Sequence, residues 1–138
     1  MENYIRLVIV DDHDLLRRTW KMVLECDQRI KVVAECKNGA DAILCAEKDN
    51  PDIMLMDVNM YPVSGFEATR KILRTHPSIG IIGMSINNQP TYTQIMMESG
   101  AKGYVTKNSP SDEMIEAILT VFEGGTYICR DIKERMLG

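Results

Sequence analysis

The sequence predicts an α/β fold in which a parallel sheet is covered by helices on both faces. Three observations carry this expectation. Apolar runs of strand length recur along the chain, and stretches of helical period separate them. Two of the runs, residues 5–10 and 53–56, are near-continuous hydrophobics that lead into acids, the pattern of strands buried on both faces. Strand and helix alternate five times, with crossovers of the length that brings successive strands in parallel.

The first strand is Ile5 to Val10. A helix follows, with Asp14 or the residues just before it as cap and Leu16, Trp20, Val23 and Leu24 along its apolar stripe. Residues 32–36 give the second strand. Asn38-Gly39 opens the second helix, with Ala42, Ile43 and Ala46 on one side, and residues 53–56 are the third strand. Ser64-Gly65 precedes the third helix, whose Phe66, Thr69, Ile72 and Leu73 point inward. Strand four spans 79–84, and a helix over 90–99 stops at Gly100. Tyr104 and Val105 sit in the fifth strand. The last helix carries the clearest signals. Ser109-Pro110-Ser111 supplies capping residues and an N-terminal proline, and Asp112 and Glu113 suit the positive helix start. Met114, Ile115, Ile118, Leu119 and Phe122 form its stripe, and Gly124-Gly125 ends it. Beyond, Thr126 to Cys129 and a charged run over 130–135 look like the start of another element.

The chain has 138 residues, 45% hydrophobic and 26% charged, which is one ordinary domain and not a disordered one. No apolar run approaches the roughly 20 residues of a membrane span. Sixteen basic residues face 20 acidic ones, a net charge of −4, so bulk electrostatics do not favour nucleic acid. Cys26, Cys36, Cys45 and Cys129 form no CxxC, and neither His13 nor His76 lies at ligand spacing from them. A zinc site and a disulfide framework are therefore not expected; reduced thiols in a cytosolic protein are. MENYIR runs straight into a strand, so no targeting segment is expected.

In an open parallel sheet, ligands bind beyond the carboxyl ends of the strands. Asp11 and Asp12 follow strand one, Asp57 follows strand three, Ser85 strand four and Lys107 strand five. Each has an ordinary alternative: helix-capping acids, a turn former before Pro62 and Gly65, an uninformative serine, a solvated lysine. Together they are more specific. Clustered carboxylates repel and call for a counter-charge. Oxygen ligands of this kind suit Mg²⁺, which takes one or two carboxylates plus waters and phosphate oxygens. Lysine and hydroxyl groups would hold the other oxygens of a phosphoryl group, and one carboxylate would accept it.

The run Val8-Ile9-Val10-Asp11-Asp12-His13, then Asp57-Val58-Asn59-Met60 with Gly65, then Met84-Ser85, then Gly103-Tyr104-Val105-Thr106-Lys107, resembles the receiver domain of bacterial two-component response regulators. The likeness covers about residues 4–125. It implies a flavodoxin-like (βα)5 three-layer sandwich with strand order 2-1-3-4-5. It also implies that Asp57 accepts phosphate from a histidine kinase. Mg²⁺ would be bound by the Asp12 and Asp57 carboxylates and the Asn59 carbonyl, with Asp11 holding a metal-bound water. Ser85 would hydrogen-bond the phosphoryl group, and Lys107 would pair with it, or with Asp57 beforehand. Ser85 and Tyr104 would be the switch residues, Tyr104 rotating into space that Ser85 vacates. Such a domain is a switch that acts only on its own phosphate, not an enzyme with a separate substrate.

Three positions depart from the family pattern. Tyr61 stands where proline is usual, with Pro62 after it; Ile86 replaces a small residue and would slow access to Asp57; Asn108 replaces a proline that is often preceded by a cis bond. Asp-Asp-His and Gly-Tyr-x-x-Lys-Asn look most like the NarL/FixJ type, whose members carry a LuxR-type DNA-binding domain. Residues 1–125 are thus expected to be the receiver, and 126–138 the start of a linker to an output domain outside this chain or a C-terminal extension. The resemblance implies a cytoplasmic regulator of transcription, with a homodimer through the face of helix four, strand five and helix five. Stand-alone action through protein contacts is the rival. An aspartyl-phosphate phosphohydrolase is disfavoured because Asn59 occupies the place of its acid/base carboxylate. A flavin binder is disfavoured because no glycine-rich phosphate loop is present.

Overall fold

The computed structural model describes residues 3–137. Six strands alternate with six helices: β1 (Ile5–Val10), α1 (Asp14–Leu24), β2 (Ile30–Cys36), α2 (Gly39–Asp49), β3 (Ile53–Asp57), α3 (Gly65–Thr75), β4 (Gly80–Ser85), α4 (Pro90–Glu98), β5 (Gly103–Thr106), α5 (Ser111–Phe122), β6 (Tyr127–Ile128) and α6 (Arg130–Leu137). The sheet is parallel throughout, in the order β2-β1-β3-β4-β5-β6. The five-strand order therefore holds, with a sixth strand added at the β5 edge. Chain direction across the sheet reverses between β1 and β3, where Leu7 aligns with Ile53 and Val10 with Met56. This is the switch point at which such sheets open a crevice.

Packing explains why β1, β3 and β4 sit centrally. Val8, Ile9, Met54, Leu55, Ile81 and Ile82 are fully buried, as residues covered by helices on both faces must be. β2, at the edge, alternates more, with Lys31 and Glu35 outward. The helices bury much of the stripes their spacing marks: Trp20 and Leu24 in α1, Ala42 and Ala46 in α2, Met114 and Ile118 in α5, where Ala117 is buried with them and Ile115 and Leu119 are half-buried. Phe122 departs from its expected inward place and is about half exposed, because α5 ends there.

Caps follow the sequence in part. Asn38 Oδ1 accepts the Asp41 amide at 2.8 Å, and Ser64 Oγ accepts that of Glu67 at 3.2 Å. At α5 the N-cap is Pro110 itself; Ser109 Oγ instead accepts the Thr106 amide at 3.2 Å. His13 is the N-cap of α1 and makes no capping bond, since its ring is engaged in the crevice. Gly100, at φ 111°, makes the left-handed turn after α4.

Residues beyond 125 join the same body. Tyr127 lies beside Gly103, and the Cys129 amide donates to the Tyr104 carbonyl at 3.0 Å. Ile132 of α6 is fully buried. Glu113, read from sequence as a helix-dipole residue, is buried and accepts both the Tyr127 hydroxyl and the Arg130 amide at 2.8 Å. That carboxylate fastens the C-terminal segment to α5. β6 and α6 cover part of the β5–α4 face, so β5 is not an edge strand. Among the described residues no helix is long and apolar enough to cross a membrane.

Candidate functional site

β1 and β3 are neighbours, so their carboxyl ends deliver Asp11 and Asp57 side by side. Both are fully buried, and Asp12 beside them is exposed. Asp11, Asp12, His13 and Asp57 each offer a ligand atom, all within 4.8 Å of one another. Lys107 reaches them from the end of β5. Its ammonium stands 3.0 Å from Asp11 Oδ2 and 3.3 Å from Asp57 Oδ2, and it donates to Asp11 Oδ1 at 3.1 Å. Read from sequence as a partner of Asp57, Lys107 thus bridges both buried acids. Its near-complete burial is tolerable only because it is paired.

Asp57 Oδ1 accepts the Asn59 amide at 3.1 Å, while Oδ2 has no hydrogen-bond partner. Burial pushes the Asp57 carboxyl up to about 6; Lys107 and the Asn59 amide pull the other way, and Asp11 adds to the rise. Asp11 behaves oppositely. Burial opposes its ionisation, but the His13 amide at 2.9 Å and Lys107 outweigh that and hold it below the usual carboxylate range. The neighbouring acids thus differ through their hydrogen bonds.

Ser85 and Tyr104 are also fully buried. Ser85 Oγ accepts the Asn87 amide at 2.9 Å and the Asn59 side-chain amide at 3.3 Å, which ties β4 to the residue after the Asp57 turn. Tyr104 already lies inside, where Gly83 leaves room for its ring; a Cβ on Gly83 would sit 2.7 Å from that ring and from Met96. Burial lifts the Tyr104 phenol to about 12, and its buried hydroxyl has no hydrogen-bond partner.

The three departures are placed as follows. Ile86 is 63% exposed beside Ser85, and Tyr61 is almost wholly exposed. The one cis peptide among the described residues is Tyr61–Pro62, so Lys107 precedes Asn108 through a trans bond.

Two residues escaped the sequence reading. His13 Nδ1 lies 2.9 Å from Asp11, 3.1 Å from Asp12 and 3.1 Å from Lys107. Its place directly after Asp11-Asp12 was the available signal. Arg17 is buried and donates to the Asp11 carbonyl at 2.8 Å while pairing with Asp14 at 2.9 Å and Glu35 at 3.0 Å. Nothing local marks an arginine on the inner side of α1 for this role.

Buried carboxylate oxygens without hydrogen bonds, in a group of oxygen donors, fit a hard divalent cation or another charged ligand. Fold and crevice together define a doubly wound α/β protein with an acidic, lysine-bridged cleft at its switch point. Comparison with known proteins agrees. The response regulator receiver domain family matches residues 7–119. The transcriptional regulatory protein DegU of Brevibacillus brevis is 40% identical over 127 residues, covering 92% of this chain and 54% of DegU. The response regulator GacA of Pseudomonas protegens is 36% identical over 133 residues, covering 96% of this chain and 62% of GacA. The crystal structure of a LuxR-family two-component response regulator from Aurantimonas sp. SI85-9A1 superposes with a TM-score of 0.93 at 29% identity, covering 97% of this chain and 96% of that one. The chain belongs to the response regulator receiver-domain family, with relatives of the NarL/FixJ type. It spans 54% of DegU and 62% of GacA.

Proposed function

We propose that this receiver accepts a phosphoryl group on Asp57 from a histidine kinase in the presence of Mg²⁺. The observation that carries the reading is the buried Asp57 Oδ2, free of hydrogen bonds and 3.3 Å from the Lys107 ammonium. Asp57 Oδ2 is the nucleophile. Lys107 neutralises charge on the incoming phosphoryl oxygens, and Ser85 turns its hydroxyl from the Asn87 amide to donate to them. Asp11 fixes Lys107 on one side, and Arg17 fixes the Asp11 backbone. Asp11, Asp12, Asp57 and the Asn59 carbonyl would hold the Mg²⁺. When bound, it screens the charge that builds up during transfer.

Phosphorylation adds about −1.5 to −2 charge. The Ser85 shift and the buried Tyr104 then bias the face made by α4, β5 and α5. The protein acts only on its own phosphate and turns over no separate substrate. By analogy with the transcriptional regulatory protein DegU, the whole protein regulates transcription, and the family resemblance assigns it to the cytoplasm and its DNA binding to an output domain outside this chain. A homodimer through α4, β5 and α5 would have to include or displace α6, which packs on α4.

The test is incubation with Mg²⁺ and a small phosphodonor, followed by intact mass. A phosphate adduct that is lost in Asp57→Asn is expected. No adduct, or one that survives Asp57→Asn, removes the assignment.

A further inference from the structure

The C-terminal segment leaves α5 through Gly124-Gly125 and returns along β5 and over α4. Gly124 sits at φ 96°, and a Cβ there would meet nothing within 4 Å. β6 is tied to its neighbours by two backbone bonds of 3.0 Å: the Tyr127 amide donates to the Lys102 carbonyl, and the Cys129 amide to that of Tyr104. α6 has eight residues, fewer than the roughly 12–15 that hold a helix together alone in water, so it depends on its contacts. Those contacts are sparse. Among the described residues of α6 only Ile132 is buried, with Cys129 buried just before the helix. An open groove remains between α4 and α6, lined by Thr93, Met97, Ile128 and Met136, and the buried Thr93 hydroxyl has no hydrogen-bond partner. Two polar latches complete the closure. Glu113 Oε2 accepts the Tyr127 hydroxyl and the Arg130 amide, which fixes the segment to α5. Asn88 Nδ2 donates to Asp131 Oδ2 at 3.1 Å, which fixes α6 to the loop after β4. That loop is itself anchored, because the Asn87 amide donates to Ser85 Oγ at 2.9 Å.

We propose that residues 126–137 form a strap, hinged at Gly124-Gly125, that opens as one unit while β1 to β5 stay folded. Closed, the strap is an autoinhibitory cover: it occupies the outer backbone edge of β5 at Tyr104 and the groove side of α4. Its grip is set by Ser85. When the Asn87 amide loses Ser85 Oγ, the loop over 86–89 loosens, the Asn88–Asp131 latch weakens, and the strap shifts toward open. Opening returns water to the Thr93 hydroxyl and frees the β5 edge and α4 for other contacts. Release by a phosphoryl group that draws Ser85 away rests on the Asp57 reading; the strap and its link to Ser85 do not.

Cys129, fully buried in the closed strap, reports its opening. The full chain carrying Cys26→Ser, so that no exposed thiol competes, is treated with N-ethylmaleimide and neither metal nor phosphodonor. Labelling at each cysteine is followed by peptide mapping in native and in urea-unfolded protein, and the ratio of the two rates gives the protection at that site. Cys129 should be at least about tenfold less protected than global unfolding by urea requires, with Cys36 still protected and circular dichroism unchanged. Asn88→Ala and Asp131→Ala should each speed labelling of Cys129 about threefold to tenfold and leave Cys36 alone. Ser85→Ala, which removes the anchor of the loop, should speed it as well. Protection of Cys129 equal to that set by global unfolding, or labelling unmoved by both Asn88→Ala and Asp131→Ala, would overturn the strap. Labelling unmoved by Ser85→Ala would overturn its link to Ser85. No arm phosphorylates the protein, so the Asp57 reading stands or falls by its own test.

Discussion

Asp57→Asn should stabilise the metal-free protein, and by an amount set by pH. Asp57 is fully buried, and its carboxyl is pushed up to about 6 chiefly by burial. In the unfolded chain an aspartate titrates near 3.9. The folded state therefore holds the Asp57 proton more tightly. Below about pH 4 the group is protonated in both states and costs nothing. Between about 4 and 6 the folded state binds more protons, so stability falls as pH rises, and above about 6 the penalty is complete. A gap of roughly 2 pH units corresponds to about 3 kcal/mol. Asparagine cannot ionise and escapes the penalty, less whatever its own amide loses by burial.

Unfolding by urea in EDTA should thus show Asp57→Asn more stable by about 2–3 kcal/mol at pH 7.5, with no gap near pH 4. In thermal melts at neutral pH this is roughly 6–10 °C for a domain of this size. Added Mg²⁺ should raise the parent's stability by mass action and that of the variant much less. Equal stability of parent and variant at pH 7.5 in EDTA, or a gap that ignores pH, would refute the electrostatic account of Asp57.

Lys107→Met leaves Asp11 and Asp57 buried without their shared cation, and should cost about 3–5 kcal/mol at pH 7.5, less near pH 4, by denaturant titration. Gly65→Ala should be worse tolerated than most glycine substitutions. A Cβ there overlaps the Asp57 carbonyl and comes 2.7 Å from Val58 Cα, so backbone beside the cleft must move; a loss of about 3 kcal/mol and slower phosphorylation are expected in melts and phosphodonor assays. Ile86→Ala should speed phosphorylation and phosphate loss, because Ile86 flanks Ser85 at the rim; a time course matching the parent would remove that role. Glu113→Ala should cost about 2–3 kcal/mol and expose amides over 127–137 to hydrogen exchange, since it deletes the acceptor of both Tyr127 and Arg130.

The central sheet was legible because strands covered on both faces must read as unbroken hydrophobics, as residues 5–10 and 53–56 do. Helix stripes were legible for the same reason, except at ends such as Phe122, where burial depends on what lies opposite. β6 was hidden: a two-residue strand has no period, and its place depends on backbone bonds to Gly103 and Tyr104. The acids of the cleft could be named because strand ends in such sheets converge. How they are held could not. That Lys107 meets both Asp57 and Asp11, and that Ser85 bonds Asn59 as well as Asn87, is decided by how the ends of separate strands are brought together. Arg17 shows the limit most clearly. Its buried guanidinium is a tertiary fact on a helix whose pattern would predict an apolar residue there.

The cleft is also where the fold's local rules conflict. Everywhere else the ends of β1 and β3 are packed like any core, yet these two strands finish in buried acids that repel each other and face a single lysine. Folding alone would be better served by apolar residues of similar volume. Each acid keeps one oxygen without a hydrogen bond; the bonds from His13 and Lys107 reduce the conflict at Asp11, but Asp57 is left with a raised carboxyl. A surrounding structure that over-determines so costly a group is expected at a working site and not at a structural one. The same stored repulsion favours whatever brings positive charge to the cleft. Ligand binding and relief of strain then act in the same direction, and the cleft becomes the most responsive point of an otherwise closely packed sheet.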